Sequence, residues 1–424
     1  MSLPSRVISK RLIPKGVELR RVILGTVAAL AVAAAAAACS SSGTTGSSTS
    51  ASGSTPYRVL VSAGLSSPGP LQVNSEMAVL AAKAGAKEVN AAGGIDGHQV
   101  QVTVVDDAST ASTAVTVLQD ALHSGAKPDL YLDSGPAPTS AAVLPILKSN
   151  GVLSLNTAPV GNSSNPADYP LNFDLSPGPA DYVQGFLPAI KAAGYQKIGI
   201  IHSSDEYGTL LGTAYQSAFT KAGYTVTANE QYDVTALSMT PELQAIEATH
   251  PDVLVLDGYG APIGYILKDL AQLGWNVPIL ADNSVAATNL ISEPAPAGLL
   301  GTSYVKNLKM QVFNSTEYNA SATVVNNAVA QLKATGTITA SLILGYNYDA
   351  MLLVAAAAKA ANSTDPAAIA RELVVPSVLS SAKTAILARF NYTAGNHSPQ
   401  PSPSEFTFIA PTALVDGQYG HPSS

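Results

Sequence analysis

The chain has 424 residues, of which 46% are hydrophobic and 12% are charged. It is long enough for two domains with sizeable cores and too apolar for a disordered protein. The formal net charge of −7 disfavours nucleic acid as a partner, and a single cysteine excludes disulfides and a thiolate zinc site within the fold.

The first 55 residues have the composition of a targeting segment. Six basic residues within the first 21 positions precede an apolar run over 22–38, which ends in three alanines and Cys39. This pattern predicts a signal peptide over 1–38 and a lipid anchor on Cys39, with an ordinary signal and an incidental cysteine as the alternative. The Ser/Gly/Thr-rich stretch 39–55 predicts a flexible tether. Removal of 1–38 takes away six of 22 basic and one of 29 acidic residues, which leaves a net charge of −12.

The folded part opens with an alternation of strands and helices. Predicted strands lie at 57–63, 100–104, 129–132 and 151–155, and predicted helices at 74–90, 113–123 and 141–149. Regular alternation of this kind predicts a parallel sheet with helices on both faces.

The segment 168–174 is expected to be irregular, and a second series begins after a first crossing near 176–180. Predicted helices lie at 181–193, 208–222, 240–249 and 262–273, and predicted strands at 197–202, 225–231, 252–257 and 277–281. Two successive series favour an α/β protein of two Rossmann-like lobes, with an eight-stranded barrel as the alternative. We expect the first lobe to comprise 56–175 and 303–390, and the second to comprise 176–302 and 391–424. A strand at 405–409 would complete a multi-stranded hinge between them.

Polar loops at 64–70, 134–140 and 156–160 follow strands of the first series. In parallel sheets ligands bind at the carboxyl ends of the strands, so these loops are candidate binding loops. A helix that begins near Thr139 would also direct its positive N-terminus at a bound anion.

The segment 88–110 carries the most specific pattern in the chain. It joins a helix end to Gly93-Gly94-Ile95-Asp96-Gly97, a strand with alternating valines and a paired-acid ending. This order resembles the hallmark segment of the type I periplasmic binding proteins, which include the leucine/isoleucine/valine receptors of ABC transporters. The resemblance covers the chain from about residue 56 and implies two lobes, a ligand cleft and no cofactor.

The resemblance also implies a set of ligand contacts. A loop that grips a ligand carboxylate matches positions 134–140, a small-residue turn matches 156–160, and an acid for a ligand ammonium is expected near 282–283. Asn283 stands at the position of that acid and Asp282 one residue earlier, a departure that disfavours an α-amino acid. The candidate contacts are Ser134, Thr139, Ser140, Thr157, Ala158, Asp181, Tyr207, Tyr259, Asp282 and Asn283.

Three other patterns indicate chemistry only weakly. The glycine-rich segment 258–264 is one residue too long for a dinucleotide fingerprint and contains a proline. His202, Ser203 and Asp205 are too close in sequence to face one another as a triad, and no nucleophile elbow occurs. Asp106-Asp107 has no further ligands nearby for a metal. We therefore expect no catalysis, no metal and no cofactor.

These observations predict an extracytoplasmic, membrane-anchored lipoprotein that binds an amino-acid-like or carboxylate solute by hinge closure. The expected partners are the solute and an ABC permease in the membrane, and the expected state is a monomer. Two alternatives stay open: a ligand sensor that signals to a membrane partner without transport, and an anchored enzyme.

Overall fold

The computed structural model describes residues 55–420. The predicted signal peptide, Cys39 and nearly all of the tether lie outside the described residues. Within 55–420, no helix is both long and apolar enough to cross a membrane.

Five parallel strands form the first sheet: β1 (Tyr57–Ala63), β2 (Val100–Asp106), β3 (Leu130–Asp133), β4 (Leu153–Asn156) and β5 (Asn172–Asp174). Their order across the sheet is β2-β1-β3-β4-β5. Every residue of β3 and β4 is buried, as expected for central strands covered on both faces, whereas the edge strand β2 is partly exposed. The connecting helices are α1 (Pro70–Ala91), α2 (Ala111–His123) and α3 (Ala137–Asn150).

Six strands form the second sheet: β6 (Lys197–Ser203), β7 (Thr225–Tyr232), β8 (Val253–Leu256), β9 (Ile279–Ala281), β10 (Leu308–Phe313) and β11 (Phe406–Ile409). Their order is β11-β10-β9-β8-β6-β7, and only the β10–β11 pair is antiparallel. The helices of this region are α4 (Pro179–Ala193), α5 (Glu206–Lys221), α6 (Thr240–Glu247), α7 (Pro262–Leu273), α8 (Asn283–Ala287) and α9 (Asn289–Ser292). The predicted α/β fold with two helix-flanked, mainly parallel sheets is confirmed.

Four helices follow β10: α10 (Thr323–Thr335), α11 (Tyr346–Ala361), α12 (Pro366–Glu372) and α13 (Pro376–Ser381). The first two pack on α1, so the chain returns here to the first lobe. Gly85 of α1 permits this approach, because a Cβ atom there would lie 3.0 Å from Met351 and from the Tyr348 carbonyl oxygen.

Three sequence-based assignments need correction. The return to the first lobe, expected at 303, occurs after Phe313, because β10 pairs in parallel with β9. The segment 168–174, expected to be irregular, ends in strand β5. The tail after β11 is not confined to the second lobe: the Gly417 carbonyl accepts a hydrogen bond from the Leu342 amide, while the Tyr419 hydroxyl donates to the Ala286 carbonyl of α8. The lobe boundaries as units of motion stay a prediction.

The chain passes between the two sheets three times: after β5, after β10 and before β11. The segment before β11 is attached to the first crossing. The Asp174 amide donates to the His397 carbonyl (3.0 Å), and the His397 amide donates to the Ser164 carbonyl (2.7 Å). The Tyr392 hydroxyl donates to the Asp174 carbonyl (2.7 Å). These bonds hold two of the three crossings side by side.

A candidate binding cleft between the lobes

A cavity of about 150 Å³ lies between the two lobes, with room for roughly ten water-sized groups. The first-lobe side is lined by Leu71, Asn74, Ser75, Ser109, Ser134, Gly135, Pro136, Ala137, Thr157, Ala158, Pro159, Ile343, Leu344 and Tyr346. The second-lobe side is lined by Ser176, Tyr182, Asp205, Tyr207, Tyr259, Asn283, Ser284 and Ala287. Most of these residues follow the carboxyl ends of strands, where parallel sheets bind ligands.

Six of the ten candidate contacts line the cavity, namely Ser134, Thr157, Ala158, Tyr207, Tyr259 and Asn283. The other four do not: Thr139, Ser140, Asp181 and Asp282. Thr139 and Ser140 are fully buried in α3, and Asp181 lies near Ser398 in the first turn of α4. Ligand contact stays a prediction for all ten, and the geometry favours the six.

The loops after β3 and β4 direct uncommitted hydrogen-bond donors into the cavity. The Asn347 amide donates to Ser134 Oγ (2.8 Å), which leaves the Ser134 proton available. Within 55–420, neither the Thr157 hydroxyl nor the Ala158 amide makes a hydrogen bond, while Asn156 holds the Ala158 carbonyl at 2.8 Å. Two hydroxyls and a backbone amide among the lining residues of one side of the cavity suit a carboxylate.

The start of α3 is held by a buried acid behind the first of these loops. The Thr139 hydroxyl donates to the Pro136 carbonyl (2.7 Å) and lies 3.3 Å from Asp133 Oδ1. Burial raises the pKa of Asp133 to about 6. A Cβ atom at Gly135 would lie 2.2 Å from Thr139 Oγ1, so this turn requires glycine. Thr139 therefore positions the loop from behind.

The second lobe contributes one acid to the cavity wall. Asp205 caps α5, and its Oδ1 accepts hydrogen bonds from the Gly208 amide (2.8 Å) and the Ser203 hydroxyl (3.1 Å). The Tyr259 phenol lies beside it, and burial followed by the Asp205 charge raises the pKa of Tyr259. Among the described residues that line the cavity, none is Lys, Arg or His, and Asp205 is the one acid. This side of the cavity therefore suits a positive charge.

Asp282, the acid expected to meet a ligand ammonium, is buried behind the wall. Its Oδ1 accepts the Val285 amide (3.3 Å) and so caps α8. Its carboxyl group is hydrogen-bonded to that of Asp257, which also accepts the Ser203 amide (3.0 Å). The single Ser203 hydroxyl proton is shared between Asp257 and Asp205, each 3.1 Å from the hydroxyl oxygen. Burial raises the pKa of both acids, and the Asp257 charge raises that of Asp282 further.

Tyrosines close the cleft from both sides. Tyr207 of the second lobe packs with Val160 and Ala158 of the first. The Tyr182 and Tyr346 hydroxyls, on α4 and α11, lie 3.3 Å apart across the boundary. Of these three tyrosines, only Tyr207 belongs to the set of candidate ligand contacts predicted from the sequence. Tyr182 and Tyr346 sit within helical patterns, and no local signal in the sequence separates them from core tyrosines.

Sequence reasoning also missed Asn74, Ser75 and Ser109 on the first-lobe side. Each follows the carboxyl end of β1 or β2, and that position is the one signal by which they could be found. His202, in contrast, does not line the cavity. Its Nδ1 lies 2.9 Å from the Ser203 carbonyl oxygen, and its ring packs on Gly212. No group of three or more His, Cys, Asp or Glu residues within 55–420 is placed to hold a metal ion.

Comparisons with known proteins agree with this architecture. The family model described as "Periplasmic binding protein" matches residues 56–399. The Leu/Ile/Val-binding protein homolog 1 of Brucella suis is 25% identical over 323 residues, which cover 74% of this chain and 82% of that protein.

Two solved structures share the fold. An extracellular ligand-binding receptor from Rhodopseudomonas palustris HaA2 has a TM-score of 0.71 and 21% identity, and the match covers 85% of this chain and 98% of that one. A branched-chain amino acid transporter substrate-binding protein from Streptococcus pneumoniae was solved in complex with isoleucine. It has a TM-score of 0.65 and 16% identity, and the match covers 86% of this chain and 97% of that one. With the family match, these findings show that the chain belongs to the periplasmic binding protein family and has the type I fold of the branched-chain amino-acid receptors.

Proposed function

We propose that this protein is an extracytoplasmic solute-binding lipoprotein that captures a small α-amino acid and presents it to an ABC permease. The observation that carries the proposal is the opposed polarity of the cavity walls. Uncommitted donors lie on the first-lobe side, and a carboxylate lies on the second-lobe side, with no cation among the lining residues that the structure describes. A ligand with only a carboxylate would place no positive charge beside Asp205. A zwitterion supplies a carboxylate to the donors of the first lobe and an ammonium to Asp205.

In the proposed complex the ligand carboxylate accepts hydrogen bonds from the Ser134 and Thr157 hydroxyls and from the Ala158 amide. The ligand ammonium faces Asp205, and the Tyr259 hydroxyl lies next to that pair. Charge-assisted hydrogen bonds of this type are about twice as strong as neutral ones. Asp205 thus takes the role that the family resemblance implies for position 283.

The proposed mechanism is capture by closure of the lobes. Opening would separate Tyr207 from Val160 and Tyr182 from Tyr346. A ligand that contacts both walls binds the closed form more tightly and shifts the population toward it. The closed form would present a surface composed of both lobes to the permease.

The relatives support an amino acid as the ligand class. The Brucella suis relative is named as a Leu/Ile/Val-binding protein homolog, and the Streptococcus pneumoniae structure contains isoleucine. Their specificity among amino acids is not carried over to this chain.

Calorimetric titration with a panel of neutral L-amino acids tests the proposal. We expect at least one to bind, and removal of either its carboxylate or its ammonium to weaken binding about 100-fold. The ligand lacking the carboxylate is the corresponding amine, and the ligand lacking the ammonium is the corresponding 2-hydroxy acid. Failure of the whole panel to bind, or equal affinity for the 2-hydroxy acid, would refute it.

The lipid anchor is a separate part of the proposal and rests on the Ala-Ala-Ala-Cys39 pattern after an apolar run. In membrane fractionation we expect Cys39→Ser to move the protein to the soluble fraction, because serine has no thiol to carry the proposed lipid anchor. The neighbouring Ser40→Ala serves as the control and should stay with membranes. Membrane retention of Cys39→Ser would rule out lipidation at this cysteine.

A further inference from the structure

Asn74 is a polar residue of the cavity wall whose side chain is unpaired. It lies in the second turn of α1, three residues after Leu71, so both residues lie on the same face of the helix. Its Oδ1 is buried and has no hydrogen-bond partner within the described chain. Its Nδ2 also takes part in no hydrogen bond among residues 55–420. The whole amide is therefore uncommitted at the edge of the ligand space.

Several polar groups of the proposed site are assigned to the two charged ends of the ligand. The Ser134 and Thr157 hydroxyls and the Ala158 amide face the ligand carboxylate, and Asp205 faces the ammonium. Asn74 lies outside both sets, on the helix that follows β1. The part of an amino acid left to contact it is the side chain.

The hydrogen-bonding groups of Asn74 restrict which ligand side chains can lie against it. A primary amide offers one acceptor and two donors, so it pairs with a carboxamide or a hydroxyl. An aliphatic side chain would cover the amide without pairing it, and a buried unpaired polar group is costly. A second carboxylate or a second ammonium would be unbalanced, because no lining cation and no second lining acid are present in the described structure.

We propose that Asn74 selects the solute and that the solute is an amino acid with an uncharged, hydrogen-bonding side chain. This inference rests on the proposed function. The cavity of about 150 Å³ has room for a small polar solute. A pocket built to pair a polar group discriminates strongly against the isosteric ligand that lacks it.

Isosteric ligand pairs test this inference in the wild-type protein. Calorimetry compares L-threonine with L-valine and L-asparagine with L-leucine, pairs that differ mainly in polarity. We expect the polar member of at least one pair to bind about tenfold more tightly or better. Equal or tighter binding of both aliphatic members would overturn the inference and leave the proposed function standing. Failure of all amino acids to bind would overturn both.

Variants then assign the preference to Asn74. Asn74→Leu should reduce the polar preference to less than about threefold or reverse it, because it removes the pairing group. Gln72→Leu is the matched control: Gln72 is exposed on the same helix and bonded to Glu76 (3.1 Å), and the preference should persist. If Asn74→Leu does not fold, Asn74→Ala should show the same loss. A polar preference unchanged in the folded Asn74 variant would refute the assignment.

Discussion

At the scale of single residues, Asp205 both caps helix α5 and lines the ligand cavity. Its Oδ1 is committed to the Gly208 amide and the Ser203 hydroxyl, which fix the carboxylate at the start of α5. The same carboxylate lines the cavity beside Tyr259. A charge whose orientation is fixed by the scaffold needs little reorganisation when a ligand ammonium arrives.

Asp205→Asn separates these tasks, because the amide oxygen still accepts the Gly208 hydrogen bond while the charge is lost. We expect amino-acid affinity to fall about 30-fold, the effect of losing one charge-assisted hydrogen bond. The midpoint of thermal unfolding should move by only a few degrees. Calorimetry and thermal denaturation measure the two effects.

Glu206→Gln provides the control for Asp205→Asn. Glu206 is the adjacent acid, is exposed and does not line the cavity, so its neutralisation should leave affinity nearly unchanged. If both variants bind equally well, or both bind equally poorly, Asp205 does not hold the ammonium.

The sequence predicts which residues line the cavity where their position in a loop after a strand decides it. Ser134, Thr157 and Ala158 follow strand ends, so the topology alone brings them to the cavity. The sequence does not predict which of two adjacent residues faces the cavity at the start of a helix, because the rotation of the helix decides that. Asp282 caps α8 and turns toward the Val285 amide, and Asn283, one residue later, faces the cavity. Asn74 depends in the same way on the rotation of α1.

At the scale of elements, central strands and amphipathic helices are predictable because their hydrophobic patterns are local. β1 and α7 have the bounds that the sequence predicts. β5 is missed because its three residues, Asn-Phe-Asp, are buried by their neighbours and carry little strand propensity of their own. No strand is predicted at β10, and its residues fall in the predicted first lobe, because its sheet is chosen by pairing with β9, a tertiary contact with no local signature.

Asp349 shows how an element can be attached by a single side chain. Its carboxylate lies in the first turn of α11 and accepts the backbone amides of Ala385 (2.6 Å), Ile386 (2.9 Å) and Leu387 (3.0 Å). Three N–H groups of an otherwise irregular buried segment are satisfied in this way. The sequence Tyr-Asp-Ala marks the helix start, but nothing in it identifies the segment that the acid binds.

At the scale of the whole molecule, the connection between the lobes includes a buried acid. Asp174 is the last residue of β5, before the first crossing, and its Oδ2 accepts the Ser163 hydroxyl (2.9 Å). Its backbone is bonded to His397 and Tyr392 of the third crossing. Burial raises the pKa of Asp174 to about 7, while burial lowers that of His397. Burial therefore favours the uncharged form of both groups.

The Asp174 shift predicts a pH dependence of stability. The folded state holds the Asp174 proton up to about pH 7, whereas the unfolded chain releases it near the ordinary value of 3.8. The folded state thus binds more protons between these values, so this contribution is complete below about pH 4 and is lost as the pH rises to about 7. The slope from one such group is at most about 1.4 kcal/mol per pH unit.

Denaturant unfolding at pH 5 and pH 8 tests this dependence in the wild type and in Asp174→Asn. The wild type should lose more unfolding free energy between pH 5 and pH 8 than the variant does, because the amide cannot ionise. Asp133 and Asp349, whose pKa values burial raises to about 6 and about 7, change stability in the same direction and leave a residual slope in the variant. Asp168→Asn, in the loop before β5, should keep the wild-type slope. If the unfolding free energy of Asp174→Asn falls with pH as steeply as that of the wild type, Asp174 is ionised in the folded protein. The crossing would then contain a buried charge stabilised by Ser163 and Asn172.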